Sequence, residues 1–172
     1  DMSADWYKEQ LVNRNYLTPV GFKLKLERFA AVDFLCQAVN LPDVSAQVTQ
    51  VPTRFREYPI IAGGGVTYGD LQLRFIVDED MVNYSSIWNW IRDNGNADRD
   101  GDVEGEGYSA GQLQISTSNH NANFFIDFER LFPVSLTELS FDASVNDIDF
   151  FTANVTFKYT RYTLRDKNFR IL

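Results

Sequence analysis

From Val20 onward apolar and polar positions alternate. Phe22, Leu24 and Leu26 fall on one side and Lys23, Lys25 and Glu27 on the other, as in a strand with one buried and one wet face. Asp33 to Val39 gives a second strand, ended by Asn40-Leu41-Pro42-Asp43, where proline lacks a backbone donor and restricts the residue before it. Val44 to Val51 is extended and closes at Pro52. Arg54-Phe55-Arg56-Glu57-Tyr58-Pro59 and Gly63-Gly64-Gly65 follow, so Leu41 to Gly65 reads as a long hairpin-like excursion with the glycine triplet as a flexible tip. Asp70 to Val77 alternates again, with Leu71, Leu73, Phe75 and Val77 together and Gln72 and Arg74 facing away. The period then changes. Met81, Tyr84, Trp88 and Ile91 share one helical face, and Asp78 to Asp80 place negative charge near the positive end of the helix dipole. The spacing predicts one amphipathic helix ending near Asn94-Gly95.

Gly95 to Gly107 is a polar, acidic loop, after which strands return at Gln112 to Thr117 and Asn123 to Arg130, separated by the turn signal Ser118-Asn119-His120-Asn121. Beyond Leu131-Phe132-Pro133 a further strand carries Leu139, Phe141 and Ala143. The longest alternation comes last, with Phe151, Ala153, Val155, Phe157 and Tyr159 opposed to Thr152, Asn154, Thr156, Lys158 and Thr160. Seven or eight short strands and one helix predict a mainly β chain: an antiparallel sandwich or distorted barrel, with the helix flanking one open side. A parallel sheet is disfavoured, because its crossovers need several helices. A sandwich presents strand edges with unpaired backbone groups, and lateral pairing of subunits into a closed ring removes them. Such a ring encloses a barrel too wide for side chains to fill, which leaves an aqueous channel.

Composition narrows the picture. The chain has 172 residues, 44% of them hydrophobic, enough for one domain with a sizeable core. Fourteen Phe, eight Tyr and three Trp argue against disorder. Sixteen basic residues stand against 24 acidic ones, and a net charge of -8 is the wrong sign for gripping nucleic-acid phosphates. Most of the excess lies between residues 93 and 106, where six acids meet one base. The longest apolar runs are too short to cross a bilayer, and Asp1 to Leu17 has neither the basic nor the apolar region of a secretory signal.

Candidate chemistry is sparse. Asn96 to Glu104 has oxygen-bearing side chains at alternate positions and Gly101 sixth, like the first half of a calcium loop, but position twelve is Gly107 instead of a bidentate Glu. A solvated loop is the favoured reading. His120, the single histidine, falls in a turn, and Cys36, the single cysteine, falls in an apolar strand where a thiol behaves as a small hydrophobe. One cysteine allows no disulfide within the chain and no thiolate cluster. The glycine triplet lacks the Lys-Ser/Thr of a phosphate loop. Asp127, Asp142, Asp147 and Asp149 are not singled out as a carboxylate pair. The expectation is a chain with no catalytic residue, no metal and no cofactor. Arg161 to Leu172, by contrast, carries a net +3 and is the acidic loop's opposite, so Arg165, Lys167 and Arg170 are candidate contacts to a neighbour's Gly95 to Gly107 loop.

Phe34-Leu35-Cys36-Gln37-Ala38-Val39-Asn40-Leu41-Pro42, Val51-Pro52-Thr53-Arg54-Phe55-Arg56, Phe75-Ile76-Val77-Asp78-Glu79-Asp80, Trp90, Leu131-Phe132-Pro133 and Val155-Thr156-Phe157-Lys158-Tyr159 together resemble the tail tube proteins of contractile-tailed bacteriophages. The likeness runs from about Pro19 to Tyr162, which divides the chain into an N-terminal arm (1–18), a tube-like β domain (19–162) and a C-terminal extension (163–172). The resemblance implies a structural virion protein whose rings, hexameric in that family, stack into a conduit for DNA ejection, assembled in the host cytoplasm. Its implied partners are further copies, other tail proteins such as sheath, baseplate or terminator, and DNA in passage. A tube initiator, tail terminator or baseplate ring shares the fold and is the first alternative; a calcium-assisted glycan-binding module is the second. By the same analogy the excursion between Leu41 and Gly65 packs on adjacent subunits, through Arg54, Phe55, Arg56 and Glu57. An aromatic ring flanked by arginines suits an interface anchor.

Overall fold

A computed structural model describes residues 21–32, 34–95, 107–116, 122–142, 144 and 150–172. The alternating segments form strands β1 (Gly21–Leu26), β2 (Phe34–Val39), β3 (Val44–Pro52), β4 (Glu57–Tyr68), β5 (Leu71–Ile76), β6 (Ser109–Ser116), β7 (Ala122–Leu136), β8 (Thr152–Lys158) and β9 (Arg161–Asp166). One 3-10 turn, Glu27–Phe29, follows β1, and the single α-helix among the described residues, α1, spans Val82–Gly95.

All strand pairings are antiparallel. Strands β6, β1, β2, β5, β8 and β7 follow one another in the sheet, and β7 also pairs with β6, so six strands close into a barrel. The sandwich with open borders is thereby refined to a closed barrel. Closure depends on the length of β7, which was expected to break at Leu131-Phe132-Pro133. It continues through that point, with Arg130 at φ 53° and an irregularity between Pro133 and Ser135. The N-terminal half of β7 pairs with β6, from Ser109↔Leu131 to Ser116↔Ala122, and its C-terminal half pairs with β8, from Phe132↔Lys158 to Leu136↔Val155. The bend at Arg130 lets one strand close the ring.

β9 lies against the first half of β7, in register from Phe124↔Asp166 to Glu129↔Arg161. The boundary expected at Tyr162 therefore cuts through a paired strand, and only the last residues lie beyond it. They fold back: the Leu172 N–H donates to the Leu164 carbonyl, and Phe169 stacks on Phe125 with centroids 4.5 Å apart. The expected strand through Leu139 and Phe141 is absent among the described residues, and Ala143 lies outside them. That stretch is held without a ladder. The Asn154 N–H donates to Thr137 Oγ1, the Tyr84 hydroxyl donates to the Thr137 carbonyl, and Leu139 packs on the core.

Of the positions expected inward, Leu24, Leu26, Leu71, Leu73, Phe75, Ala153, Val155 and Phe157 are buried, Phe22, Val77 and Tyr159 are half-buried, and Phe151 at the barrel end is exposed; Phe34 of β2 and Leu113 of β6 join the core. The face expected from Met81, Tyr84, Trp88 and Ile91 is rotated: Met81 precedes α1, Trp88 is 49% exposed, Tyr84 and Ile91 are half-buried, and the buried positions are Asn83, Ile87 and Trp90, whose indole approaches Phe29 and Phe157 with ring centroids 5.7 and 6.2 Å away. Trp90 Nε1 donates to the Gly107 carbonyl at 2.9 Å, and Asn94 Nδ2 donates to the same oxygen. Both bonds tie Gly107 to α1. The helix begins where buried Asn83 accepts from the Asp78 and Tyr84 N–H groups and donates to the Ile76 carbonyl.

Candidate assembly surface

Leaving the barrel, β3 and β4 pair only with each other, from Val44↔Tyr68 to Pro52↔Glu57, and form a separate two-stranded ribbon. Every residue of β3 is exposed. So are large apolar side chains on both arms, among them Val48, Val51, Tyr58, Ile60, Ile61 and Val66. The tip is Thr53 to Arg56, closed by the Thr53 N–H donating to the Arg56 carbonyl and by the Thr53 hydroxyl, which bonds the same residue. The glycine triplet, expected at the tip, instead forms a bulge inside β4. The register shifts between Ala46↔Val66 and Val48↔Ile61, so that Gln47 faces the whole stretch from 62 to 65. Gly63 (φ 63°) and Gly65 (φ 103°) supply the left-handed conformations that this bulge needs.

Arg54, Phe55, Arg56 and Glu57 thus stand together at the far end of the ribbon. Phe55 is 92% exposed, with the Arg54 guanidinium 5.9 Å from its centroid, while Arg56 lies 5.0 Å from the Tyr58 ring. The base of the ribbon is fixed by aromatic residues. Tyr68, Tyr159 and Tyr162 pack edge to face and tilted, the Tyr159 hydroxyl donates to the Gly69 carbonyl at 2.8 Å, and the Tyr162 hydroxyl donates to the Pro42 carbonyl at 3.1 Å. Burial, then the neighbouring Tyr162, Asp43 and Asp70, pushes the Tyr159 phenol up to about 12. Sequence reasoning missed this clamp, because only Tyr68 adjoins the excursion in sequence, and Tyr159 and Tyr162 reach Gly69 and Pro42 from 90 and 120 residues away.

The C-terminal candidates separate. Arg165 is built into the sheet: it forms an ion pair with Asp127 and donates to the Phe169 carbonyl, while Gln112 Nε2 holds the other oxygen of Asp127. Lys167 and Arg170 are exposed on the turn after β9. The loop expected to face them, with its calcium-like half-motif, lies outside the described residues, as do His120, Asp147 and Asp149. Asp127 and Asp142 do not converge. Asp142 is exposed and accepts from the Ser144 hydroxyl and N–H, which hold its carboxyl below the usual carboxylate range. Among the described residues no cluster of three or more His, Cys, Asp or Glu is placed to hold a metal ion, and no helix is long and apolar enough to cross a membrane.

A closed antiparallel barrel with one flanking helix and a projecting apolar ribbon defines a β-barrel subunit of the tail-tube type. The chain belongs to the phage tail tube protein family, which it matches over residues 12–165. Solved structures of similar fold include a chain of the anti-feeding prophage baseplate, 6-fold symmetrised, at 10% identity and TM-score 0.66, covering 91% of this chain and 99% of that one. A chain of the sheath–tube complex of the extracellular contractile injection system PVC, in its extended state, is 18% identical with TM-score 0.62, covering 89% and 94%. Hcp1 from E. coli is 12% identical with TM-score 0.56, covering 91% and 97%. At these identities the likeness is one of fold. No curated protein sequence matches the chain significantly.

Proposed function

We propose that this protein is a structural subunit that self-associates into rings, six copies to a ring, which stack into the tail tube of a phage or phage-like particle and wall a channel for DNA. The ribbon is the observation that carries this reading. A two-stranded hairpin is at best marginally stable alone in water, and this one exposes valines, isoleucines, a tyrosine and a phenylalanine along its length. Such a surface is retained at that cost when another surface covers it. Membership of the tail tube family supports such an assembly, and chains of the same fold stand in a 6-fold symmetrised baseplate, a sheath–tube complex and a tube-terminating cap. Arg54, Phe55, Arg56 and Glu57 at the tip, with Lys167 and Arg170 on the C-terminal turn, are the proposed contacts between subunits. The strongly acidic total suits a wall past which DNA slides without sticking. The function needs no chemical step and no cofactor. A place at one end of the tube, as initiator, terminator or baseplate ring, follows from the same fold and differs in what the outermost ring meets.

Negative-stain microscopy and analytical ultracentrifugation of the purified chain test the proposal. Hollow rings or tubes and a concentration-dependent sedimentation coefficient are expected. A monomer up to millimolar concentration overturns it.

A further inference from the structure

We infer that residues 167–172 are a guard over the free edge of the barrel sheet, and that without it two copies of the chain pair edge to edge through β9. Among the described residues β9 is the one strand of the seven-stranded sheet outside the closed barrel. It pairs with β7 on one side only, so backbone donors and acceptors face outward on the other. The guard occupies that side. After a turn the chain comes back antiparallel: the Asp166 N–H donates to the Arg170 carbonyl at 2.9 Å, the Leu172 N–H donates to the Leu164 carbonyl at 3.1 Å, and Arg165 stands opposite Ile171 between those bonds. Side chains fasten the turn. The Asp166 carboxylate accepts from the Asn168 and Arg170 N–H groups at 2.8 and 2.9 Å, the Arg165 guanidinium donates to the Phe169 carbonyl at 3.0 Å, and the Phe169 ring lies on Phe125. Phe169 takes φ 59°, a left-handed backbone that costs a non-glycine residue energy and persists because these contacts hold it.

The guarded edge is self-complementary. Successive residues turn their backbone groups to opposite sides, so Leu164 and Asp166, which bond the guard, share the outward side with Tyr162. Two such edges pair antiparallel about a two-fold axis at Leu164, which is 39% exposed and then faces its own copy. Opening the guard also strips the cover from Phe125, now only 7% exposed, and leaves an apolar ring beside the bared strand. The guard itself is a poor edge: it is short, and exposed Lys167 and Arg170 set like charge against a second guard. A two-fold pair is a dead end for the proposed ring, whose contacts join two different faces of the subunit.

Opening and locking the guard in the full chain test the inference. F169A/L172P removes the ring stack and the N–H that bonds Leu164, and R165C/I171C places a disulfide across a non-hydrogen-bonded pair, where Cα atoms stand about 4.5 Å apart. F169A/L172P is expected to give a two-copy species in analytical ultracentrifugation at a population about tenfold above wild type, and Phe169→Ala alone, with both backbone bonds kept, an intermediate one. Leu164→Cys added to the double variant is expected to cross-link two copies on oxidation, whereas the same substitution in the guarded chain gives no cross-link. Oxidised R165C/I171C is expected to form no more of the two-copy species than wild type and to reach the same larger assemblies, with its reduced form as the control for the lost Arg165–Asp127 pair. Two outcomes overturn the inference: F169A/L172P and Phe169→Ala both sedimenting as wild type, or oxidised R165C/I171C associating only after reduction, which makes the segment a strap that must open for ordinary assembly.

Discussion

The Cys36 thiol lies inside the barrel and donates to the Phe34 carbonyl, and burial pushes it up to about 12 because a thiolate there faces apolar side chains. An aromatic disulfide reagent at pH 8 is expected to label it only after denaturation; prompt labelling of the native protein contradicts this placement. The same shift has a sign in stability. An unfolded thiol ionises near 9, so above that pH the unfolded chain releases a proton that the native state keeps, and stability declines as pH rises from about 9 to about 12. Tyr159 acts in the same direction from about 10 to about 12. Denaturation midpoints are therefore expected to fall across that window, and to fall less steeply in Cys36→Ala. The placement of Cys36 was legible from its apolar strand. The engagement of Arg165 was not, because its partner Asp127 is 38 residues away and only the pairing of β7 with β9 brings them together.

At the scale of elements, two glycines with close neighbours answer differently to a methyl group. A Cβ on Gly111 in β6 meets Leu131 Cδ2 at 2.7 Å and Leu26 Cδ2 at 3.3 Å, both buried within the core. A Cβ on Gly64 in the bulge meets the Oε1 of Gln47 at 2.6 Å, the far end of a flexible exposed side chain. Gly111→Ala is expected to lower unfolding free energy by about 1–3 kcal/mol in urea titrations, from overpacking. Gly64→Ala is expected to change it by less than about 0.5 kcal/mol, and an equal loss in both contradicts this account of the barrel wall. The alternation of β1, β5 and β8 was legible because it records a face that one residue in two turns to the core, whereas the helix was legible as an element but not in its face, since Ile87 and Trp90 are buried and Trp88 is exposed. The bulge was not. Three glycines signal backbone freedom, and whether a chain uses it to reverse or to bulge depends on the residue opposite, here Gln47. The continuity of β7 through Pro133 escaped for a similar reason, since proline lacks one donor and the irregularity beside Ser135 absorbs the defect.

For the molecule as a whole, barrel closure and the ribbon divide the labour. Closure leaves few edges in the barrel, whereas the ribbon is a separate two-stranded sheet that pairs with no barrel strand. None of the ribbon's described residues from Ser45 to Thr67 belongs to the buried cluster, and its anchor is the tyrosine group at its base, Tyr68 with Tyr159 and Tyr162. Replacing Ser45 to Thr67 by a short Gly-Ser turn between the paired residues Val44 and Tyr68 is therefore expected to leave a folded barrel, with cooperative unfolding and a Tm within a few degrees of the intact chain. Removal of seven exposed large apolar side chains, Val48, Val51, Phe55, Tyr58, Ile60, Ile61 and Val66, is also expected to raise the concentration at which the protein stays dispersed. If the ribbon joins ring to ring, the shortened chain forms single rings and no tubes. Loss of cooperative unfolding makes the ribbon part of the folding unit instead, and tubes of ordinary length place the axial contact on the barrel body.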